Sequence, residues 1–289
     1  MKLFAWGLGY VAGRFHELTE NIELSGTSRT IESVTDWRGR GVRAHLFGDP
    51  GNQELIDDAA RADVWLCSVP PVNGRDPVVD YCIQARLHPA AFTIYLSATS
   101  VYGGNDGGFR DEFAPSDGTS PRGLARKTAE GEWSYLCGAA GRRLGVMRLS
   151  GIYGPSRNAL QRVAAGQAFS AFLPGQVTSR IHVDDIVSGI HQICAGAGVV
   201  GVFNMADDYA APSAVVNDYA AQLLGMPALE KLPPDDPRLG PAVASFMAAN
   251  RRIYGRRLRE DLGWSPQYPS FKEGLEACLD ADMVKTPNQ

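Results

Sequence analysis

Two arginines stand four residues apart in SPRGLAR, which spans residues 120–126. Residues at this spacing lie on one face of a helix, so Arg122 and Arg126 are expected to present two fixed positive charges together. A guanidinium stays protonated and offers forked N–H donors, so it binds a carboxylate or phosphate but cannot act as a general base. The pair therefore predicts an anion site. An alternative stays open, in which the arginines lie on a solvated helix face and pair with Glu130 or Asp111.

A glycine-rich segment near residue 10 predicts a different chemistry. The stretch GLGYVA matches the pattern G-x-G-x-x-[G/A], directly after the apolar run KLFAW and directly before a helical pattern. Gly7 permits a tight turn, Gly9 lets backbone approach a pyrophosphate, and Ala12 lets helix pack closely on strand. We therefore predict a dinucleotide site formed by Gly7, Leu8, Gly9, Tyr10 and Val11. The alternative is a turn in which the glycines serve shape only.

The end of the second predicted strand, GTSRT at residues 26–30, indicates which dinucleotide is bound. A site for NAD usually places Asp or Glu here to hold the ribose hydroxyls, and this stretch carries neither. Ser28 and Arg29 instead suit the 2′-phosphate of NADP, so NADP is predicted in preference to NAD. In the alternative, Arg29 is a solvated loop charge.

Two later strand ends are assigned to the same cofactor site. Ser68, Val69 and Pro70 follow the predicted strand ADVWLC, where backbone is expected to pass beside the adenine or the linking ribose. Ser97 lies near the end of the predicted strand AFTIYLSATS. For residues 68–70, a loop stiffened by prolines is the alternative.

These residues need a scaffold, and apolar runs that alternate with amphipathic stretches provide one. Strands are predicted in KLFAWG, NIELSGTSR, RAHLFGDP, ADVWLCSVPP, AFTIYLSATS and, as a sixth strand, RRLGVMRLSGIYG. Helices are predicted in YVAGRFHEL, ELIDDAARA, DYCIQARLHP, SPRGLARKTAEGEWSYLCGA, QRVAAGQAF, HVDDIVSGIHQICAGA, SAVVNDYAAQLLG and twice in the tail. This order indicates an α/β protein with a doubly wound parallel sheet. We predict a nucleotide-binding domain at 1–155 and a smaller α-rich lobe at 156–289, with some chain crossing back to the sheet.

The composition argues against several classes of partner and site. The formal net charge is −4 without a run of like charges, so neither nucleic acid nor a membrane surface is expected as a partner. The five cysteines are scattered without a CxxC pair, so neither a disulfide framework nor a zinc site is expected. The first residues form a strand pattern rather than a signal peptide, and no apolar run reaches membrane-spanning length. We expect a cytoplasmic protein without a metal.

Five further motifs follow the glycine segment in a fixed order: LSATSVYGG (96–104), RLSGIYGP (148–155), RIHVDDIV (180–187), FNMADD (203–208) and LGWSPQYPSFKEGL (262–275). Together they resemble the extended short-chain dehydrogenase/reductase superfamily, in its NAD-dependent epimerase/dehydratase branch. The resemblance covers nearly the whole chain. It implies a Rossmann-like domain, a carboxyl-terminal substrate lobe, a bound cofactor that moves a hydride, and substrates that are often nucleotide sugars. It also suggests a homodimer through paired helices.

The resemblance places three replaced residues where that family performs catalysis. The family uses a Ser or Thr with a Tyr and a Lys spaced Y-x-x-x-K, because a nearby ammonium lowers the pKa of a phenol that serves as the base. Matched by position, the serine corresponds to Ala98, the tyrosine to Arg122 and the lysine to Arg126. The match therefore implies an atypical member that lacks the standard proton-handling groups.

Few side chains remain as substitutes. Thr99, Tyr102 and His182 are weak candidates for a proton donor, although packing is the alternative for Tyr102, and a histidine that enters a helix is more often structural. Arg180 is a candidate second anion ligand on the lobe side. Two functions stay open: an NADP-dependent oxidoreductase or epimerase-like enzyme acting on a small anionic or sugar-like substrate, and a non-catalytic protein that senses NADP(H) as an effector.

Overall fold

A computed structural model describes residues 1–104, 106–196, 200–239, 247 and 249–284. The chain forms two compact units. Unit 1 comprises residues 1–102, 115–148 and 187–203, and unit 2 comprises residues 103–114, 149–186 and 204–289. The chain thus returns to unit 1 after residue 186. The predicted division at residue 155 stays a prediction about domains.

The described elements alternate along the chain. The strands are β1 (Lys2–Trp6), β2 (Glu23–Ser28), β3 (Arg43–Leu46), β4 (Val64–Cys67), β5 (Phe92–Ala98), β6 (Phe109–Arg110), β7 (Arg143–Leu149), β8 (Gly151–Tyr153), β9 (Phe169–Ala171), β10 (Arg180–His182), β11 (Gly201–Met205), β12 (Glu230–Leu232) and β13 (Arg252–Ile253). The helices are α1 (Tyr10–Leu18), α2 (Ile31–Gly39), α3 (Gln53–Ala60), α4 (Pro77–Ala85), α5 (Pro121–Ala139), α6 (Ala159–Ala164), α7 (Val183–Ala195), α8 (Ser213–Leu223), α9 (Arg256–Leu262) and α10 (Phe271–Val284).

Unit 1 is built on a seven-stranded sheet in the order β11-β7-β5-β4-β1-β2-β3. Strand β1 pairs in parallel with both β2 and β4, so the strand order reverses between β1 and β4. The predicted doubly wound parallel sheet is confirmed. In such sheets ligands bind outside the carboxyl ends of the strands at the point of reversal. The predicted cofactor residues that follow β1, β2 and β4 therefore share one edge of the sheet.

Local sequence explains where the helices of unit 1 begin. Thr30, Asn52, Asp76 and Ser120 precede α2 to α5, and each side chain accepts a hydrogen bond from a backbone N–H of the first turn. These residue types satisfy N–H groups that lack an intrahelical partner. Helix α1 differs, because it follows Gly9, which supplies no side-chain acceptor. Among these five helices, α1 is thus the one whose amino end leaves room for a hydrogen-bond acceptor from a ligand.

The core of unit 1 is unusually rich in aromatic side chains. Trp6, Trp65 and Trp133 are fully buried, and their rings meet edge to face at centroid distances of 5.3 Å for Trp6 and Trp65 and 6.5 Å for Trp65 and Trp133. Edge-to-face contacts add about 0.5–1.5 kcal/mol per pair to the burial of these large side chains. The indole N–H of Trp133 donates to Asp76, so the residue that begins α4 also holds α5.

Unit 2 has a smaller core among α6, α8 and α10, centred on Leu160, Ala220, Phe271 and Leu275. Three short parallel strand pairs accompany it: β8 with β10, β9 with β12, and β6 with β13. The carboxylate of Asp185 accepts hydrogen bonds from the backbone N–H groups of residues 267 and 268, at 2.6 and 3.2 Å. A single carboxylate in the first turn of α7 thereby anchors the segment that precedes α10.

Two predicted elements are corrected, and one helix is added. The expected sixth strand is split, because Arg143–Leu149 belongs to the large sheet and Gly151–Tyr153 pairs with β10. Helix α2 was not predicted, since no strong apolar periodicity marks the segment. The helix expected in QRVAAGQAF ends at Ala164, and Phe169 begins a strand after a glycine turn. Separately, no helix within the described ranges is long and apolar enough to cross a bilayer.

Two glycines of α5 provide a test of how tightly this helix packs on the end of β5. A Cβ on Gly123 would collide with the carbonyl oxygen of Ser100, whereas a Cβ on Gly131 would have nothing from the described chain within 4 Å. We expect Gly123→Ala to lower the free energy of unfolding by about 1–3 kcal/mol, the usual cost of overpacking. The matched Gly131→Ala should raise it by about 0.5–1 kcal/mol through helix propensity. Urea denaturation measures both, and equal stability of the two variants would contradict the packing argument.

Candidate functional site

The turn between β1 and α1 is fixed by close backbone contacts. Gly7 has a φ of 98°, and a Cβ there would lie 2.7 Å from the Ser68 hydroxyl oxygen. That hydroxyl donates to the Gly7 carbonyl at 2.9 Å, and the backbone N–H of Leu8 donates to the Thr27 carbonyl at 2.7 Å. The carboxyl ends of β1, β2 and β4 are thereby joined. Gly7 is required by the fold itself, because no other residue fits this conformation and this contact.

Gly9 lies two residues further on and has no such structural requirement. Its φ is −107°, which any residue adopts, and a Cβ on it would meet no atom of the described chain within 4 Å. The first turn of α1 contains no acidic side chain. An open space at an uncapped helix amino end is the setting that accepts a phosphate. The residues present therefore fit the predicted dinucleotide, with Tyr10 and Val11 in the first turn of the helix.

The end of β2 carries the residues assigned to the nucleotide 2′-phosphate. Ser28 is buried and its hydroxyl accepts a hydrogen bond from Ser33 at 3.1 Å, while Arg29 is exposed. The Arg29 guanidinium makes no hydrogen bond or ion pair with the described residues. The nearest acidic residue along the chain is Glu32, whose pKa is lowered by hydrogen bonds from its own backbone N–H and from Thr30. No carboxylate stands at the strand end itself.

The other predicted cofactor residues differ in accessibility. Ser68 and Val69 are half-buried and Pro70 is exposed, so this edge is open to solvent. Ser97 is only 3% exposed, and its hydroxyl donates to Glu130 at 2.6 Å. The assignment of Ser97 to the cofactor stays a prediction, and its hydroxyl is engaged in a buried network.

This network joins four side chains beneath the end of β5. Arg148 donates from Nε and Nη2 to the two oxygens of Glu130, at 3.0 and 2.7 Å, and from Nη1 to the Tyr102 hydroxyl at 2.9 Å. Desolvation opposes the charge of Arg148, but the Glu130 carboxylate and Tyr102 outweigh it and raise the pKa of the guanidinium. Tyr102 is 1% exposed. The environment of Tyr102 favours the packing alternative over proton donation to a substrate.

Arg148 was missed in the sequence, although a signal was present. It is the second arginine of the strand RLGVMRL and lies in the buried part of that strand, where a charge needs a partner of opposite sign. Glu130 supplies that partner from α5. The alternative pairing of Arg122 and Arg126 with Glu130 or Asp111 is therefore corrected, because Glu130 pairs with Arg148 and Asp111 pairs with Arg256.

Arg122 and Arg126, the two arginines that the sequence match places at the family's tyrosine and lysine positions, have different environments. Nη1 of Arg126 donates to the Tyr95 hydroxyl at 2.9 Å and to the Leu96 carbonyl at 3.0 Å. Its guanidinium lies 5.8 Å from the centre of the Tyr95 ring. Burial raises the pKa of the Tyr95 hydroxyl despite the opposing effect of the Arg126 charge. Arg122 is exposed and forms no ion pair within the described chain. Arg126 is thus fixed against β5, while Arg122 is free to meet an anion.

Ala98, which the sequence match places at the family's serine position, has no hydroxyl. Ala98 ends β5, and Thr99 begins a short 3-10 helix that extends to Val101. Thr99 is half-buried, and its carbonyl accepts from the backbone N–H of Tyr102. The Ser100 hydroxyl is buried without a hydrogen-bond partner among the described residues. Sequence reasoning did not single out Ser100.

The two remaining candidates lie in unit 2. His182 is 1% exposed; its Nδ1 accepts from the Asp184 backbone N–H at 3.2 Å, and its ring lies 4.2 Å from that of Tyr268. Nε2 lies 3.6 Å from the Cys278 sulfur. This packing favours the structural alternative for His182. Arg180 is half-buried and lines a cavity within unit 2.

Comparison with known proteins gives relatives of several kinds. No family model matches the sequence. A 3-diazoavenalumate denitrifying reductase from a Streptomyces species is 31% identical over 175 residues, which are 57% of this chain and 57% of that protein. The chain thus matches little more than half the length of this curated relative.

Solved structures match over nearly the full length. A conserved protein of unknown function from Silicibacter pomeroyi is 33% identical with a TM-score of 0.86, over 97% of this chain and 98% of that one. UDP-glucuronic acid 4-epimerase from Bacillus cereus, solved in complex with NAD, is 16% identical with a TM-score of 0.77, over 98% and 99% of the two chains. At that identity the likeness is one of fold.

Proposed function

We propose that the chain, whose fold is that of the extended short-chain dehydrogenase/reductase superfamily and its NAD-dependent epimerases and dehydratases, binds NADPH in unit 1 and reduces an electrophilic substrate. The resemblance inferred from the motifs is confirmed at the level of the fold. Cofactor preference, reaction and substrate are the parts proposed.

One observation carries the proposal of cofactor binding. Gly7 is glycine because its backbone and the Ser68 hydroxyl require it, but neither conformation nor packing requires a glycine at Gly9. A helix tolerates a larger residue at such a position, so we attribute the absence of a side chain at Gly9 to a ligand that approaches the backbone closely. A pyrophosphate at the amino end of α1 is that partner. Ser28 and Arg29 would then face the adenosine ribose.

The residues beside the site support a reaction that needs no proton from the protein. A phenol and an ammonium are replaced by Arg122 and Arg126, which stay protonated, and Ala98 lacks a hydroxyl. The Tyr102 hydroxyl is buried against Arg148. A carbonyl substrate gains an alkoxide that must be protonated, and Ala98, Arg122 and Arg126 supply no acid for it. A substrate that accepts hydride and expels a neutral group has no such need.

The curated relative suggests which substrate meets this condition, because its name describes the reductive removal of nitrogen from a diazo compound. When bound, NADPH supplies a hydride, which forms a C–H bond while the C–N bond of a diazonium carbon breaks and N₂ leaves with the bonding electron pair. The positive charge of the diazonium group is cancelled and no proton is consumed. Arg122 would hold an anionic group of the substrate.

The cofactor site is tested by adding side chains to the two glycines. Gly9→Val should leave the free energy of unfolding nearly unchanged, since its Cβ has room, but should abolish NADPH binding in calorimetry. Gly7→Ala, at positive φ and against Ser68, should instead lower stability by about 1–3 kcal/mol. Undiminished NADPH binding by Gly9→Val would contradict the proposed site.

The preference for NADP is tested at Arg29. Arg29→Gln should weaken NADPH binding by about 1.5–3 kcal/mol, the value of a hydrogen-bonded charge, and leave NADH binding unaltered. Arg142→Gln is the matched control, because it removes another exposed arginine of unit 1. If wild-type protein binds both nucleotides with equal affinity, Arg29 is a solvated loop charge.

The reaction is tested with 4-carboxybenzenediazonium and with a panel of activated aldehydes and ketones. We expect loss of NADPH absorbance with the diazonium probe, formation of benzoate that carries one deuterium from NADPH deuterated at C4, and a rate independent of pH near neutrality. Gly9→Val controls for reaction in solution. Turnover of carbonyls with a bell-shaped pH profile would reveal a proton donor and contradict this chemistry. Tight NADPH binding without turnover of any probe would favour the nucleotide sensor.

A further inference from the structure

A cavity of about 190 Å³ lies within unit 2, among β8, β10, α6, α8 and α10. Two arginines line it: Arg180 on β10 and Arg162 on α6. Neither guanidinium has a carboxylate within 4 Å in the described part of unit 2. Two positive charges that share a cavity repel each other, and a bound anion relieves that repulsion.

Both arginines are held in place with donors to spare. Nη1 of Arg180 donates to the carbonyls of Thr178 and Ala211, each at 2.9 Å, and Nη2 donates to the Ser213 hydroxyl at 3.1 Å. A guanidinium has five N–H donors, so two of them, on Nε and Nη2, remain for a ligand. Arg162 likewise uses only Nη1 and Nη2, toward the Asn158 carbonyl and the Asn217 side chain, at 3.2 Å each.

The two arginines differ in how far they are exposed to solvent. Arg162 retains exposed surface and Arg180 is half-buried, so water reaches both side chains. Protein nevertheless surrounds them closely enough that desolvation lowers the pKa of Arg162 and lowers that of Arg180 to about 10. Poorly solvated cations bind anions more strongly than cations on an open surface do.

The rest of the cavity wall defines the ligand further. Ile152, Val216, Phe271 and Leu275 also line the cavity and give its wall an apolar part. The volume is well below the roughly 300–1,000 Å³ of sites that take drug-sized ligands. A nucleoside diphosphate is therefore too large to be enclosed, and inorganic phosphate would leave the apolar side unfilled. We propose that this cavity binds a compact carboxylate with a short apolar or aromatic body. This inference does not depend on NADPH binding or on the proposed reaction.

A buried acid beside Arg180 bears on the pH range of binding. Asp207 is 4% exposed, and burial raises its pKa to about 8 against the opposing charge of Arg180, with Asp208 adding to the rise. Tyr153, the other titratable group that interacts with Asp207, keeps its proton because burial raises its pKa further above its usual value. Below about pH 8, Asp207 is protonated and leaves Arg180 to a ligand. Above that pH, its own carboxylate competes.

The proposal is tested by titrating the full chain with benzoate in calorimetry, with benzamide as the uncharged match and inorganic phosphate as the other oxyanion. We expect benzoate to bind, benzamide and phosphate to bind at least about tenfold more weakly, and Arg180→Met and Arg162→Met each to weaken benzoate binding at least about tenfold. Arg142→Gln is the control for lost charge. Circular dichroism and NADPH binding show whether each variant is folded. If Arg180→Met fails to fold, Arg162→Met still tests the proposal, because Arg162 is exposed.

The pH dependence of binding is measured with the same benzoate titration. Benzoate affinity should fall as the pH is raised through about 8, and Asp207→Asn should remove that fall. Absence of benzoate binding, equal binding of phosphate, or unaltered binding in folded arginine variants would each overturn the proposal. Titration with NADPH distinguishes failure of this proposal from failure of the proposed function, because benzoate and NADPH can each fail to bind while the other binds.

Discussion

The structure of unit 1 depends on how closely the backbone packs where β1 ends. At Gly7 the chain turns with a positive φ while the Ser68 hydroxyl from β4 bonds to its carbonyl, and the next N–H bonds to the carbonyl of Thr27 on β2. Any side chain at this position would separate the strands on either side. The same turn starts α1 without a capping side chain, so the requirement of folding and the open amino end that suits a phosphate arise from one local conformation.

The second constraint is the buried ion pair beneath the end of β5. Arg148 lies in a buried strand, and it persists there because Glu130 and Tyr102 satisfy its donors. Removing one member of such a pair would leave an uncompensated charge, at a cost of about 3–5 kcal/mol. This network fixes Ser97 and Tyr102, and Arg126 is fixed separately by Tyr95 and Leu96. The hydroxyls of Ser97, Tyr102 and Tyr95 are therefore engaged in contacts that hold the fold together.

The sequence predicted the parts of this architecture that depend on short-range patterns. The alternation of strands and helices and the glycine turn were readable, because strand-turn-helix units have local signatures at Gly7 and Ser120. Helix α2 was missed, since only Val34 and Trp37 are buried along it and the apolar face is too sparse to mark a helix. The split after Leu149 was also missed, because β7 and β8 read as one apolar run while their partners lie in different sheets. Partners such as Arg148 with Glu130, or Arg126 with Tyr95, depend on long-range contacts that no spacing encodes.

Magnitudes decide which chemistry suits the remaining groups. General acid–base catalysis is worth about 10²–10⁴ in rate, so a carbonyl reductase that lost its tyrosine, lysine and serine would forfeit most of that factor. A guanidinium at the position of Arg122 cannot recover it, because it neither accepts nor releases a proton near neutral pH. It does stabilise an anion, and it retains its charge where a lysine near a low-dielectric site would tend to lose it. An electrophile whose leaving group departs as a neutral molecule needs no acid–base catalysis, so the loss of that rate factor does not slow its reaction. Orientation of the substrate by the Arg122 cation still contributes to the rate. In the proposed function, the absence of the three residues is thus costly for carbonyl substrates and without penalty for an electrophile that expels a neutral group.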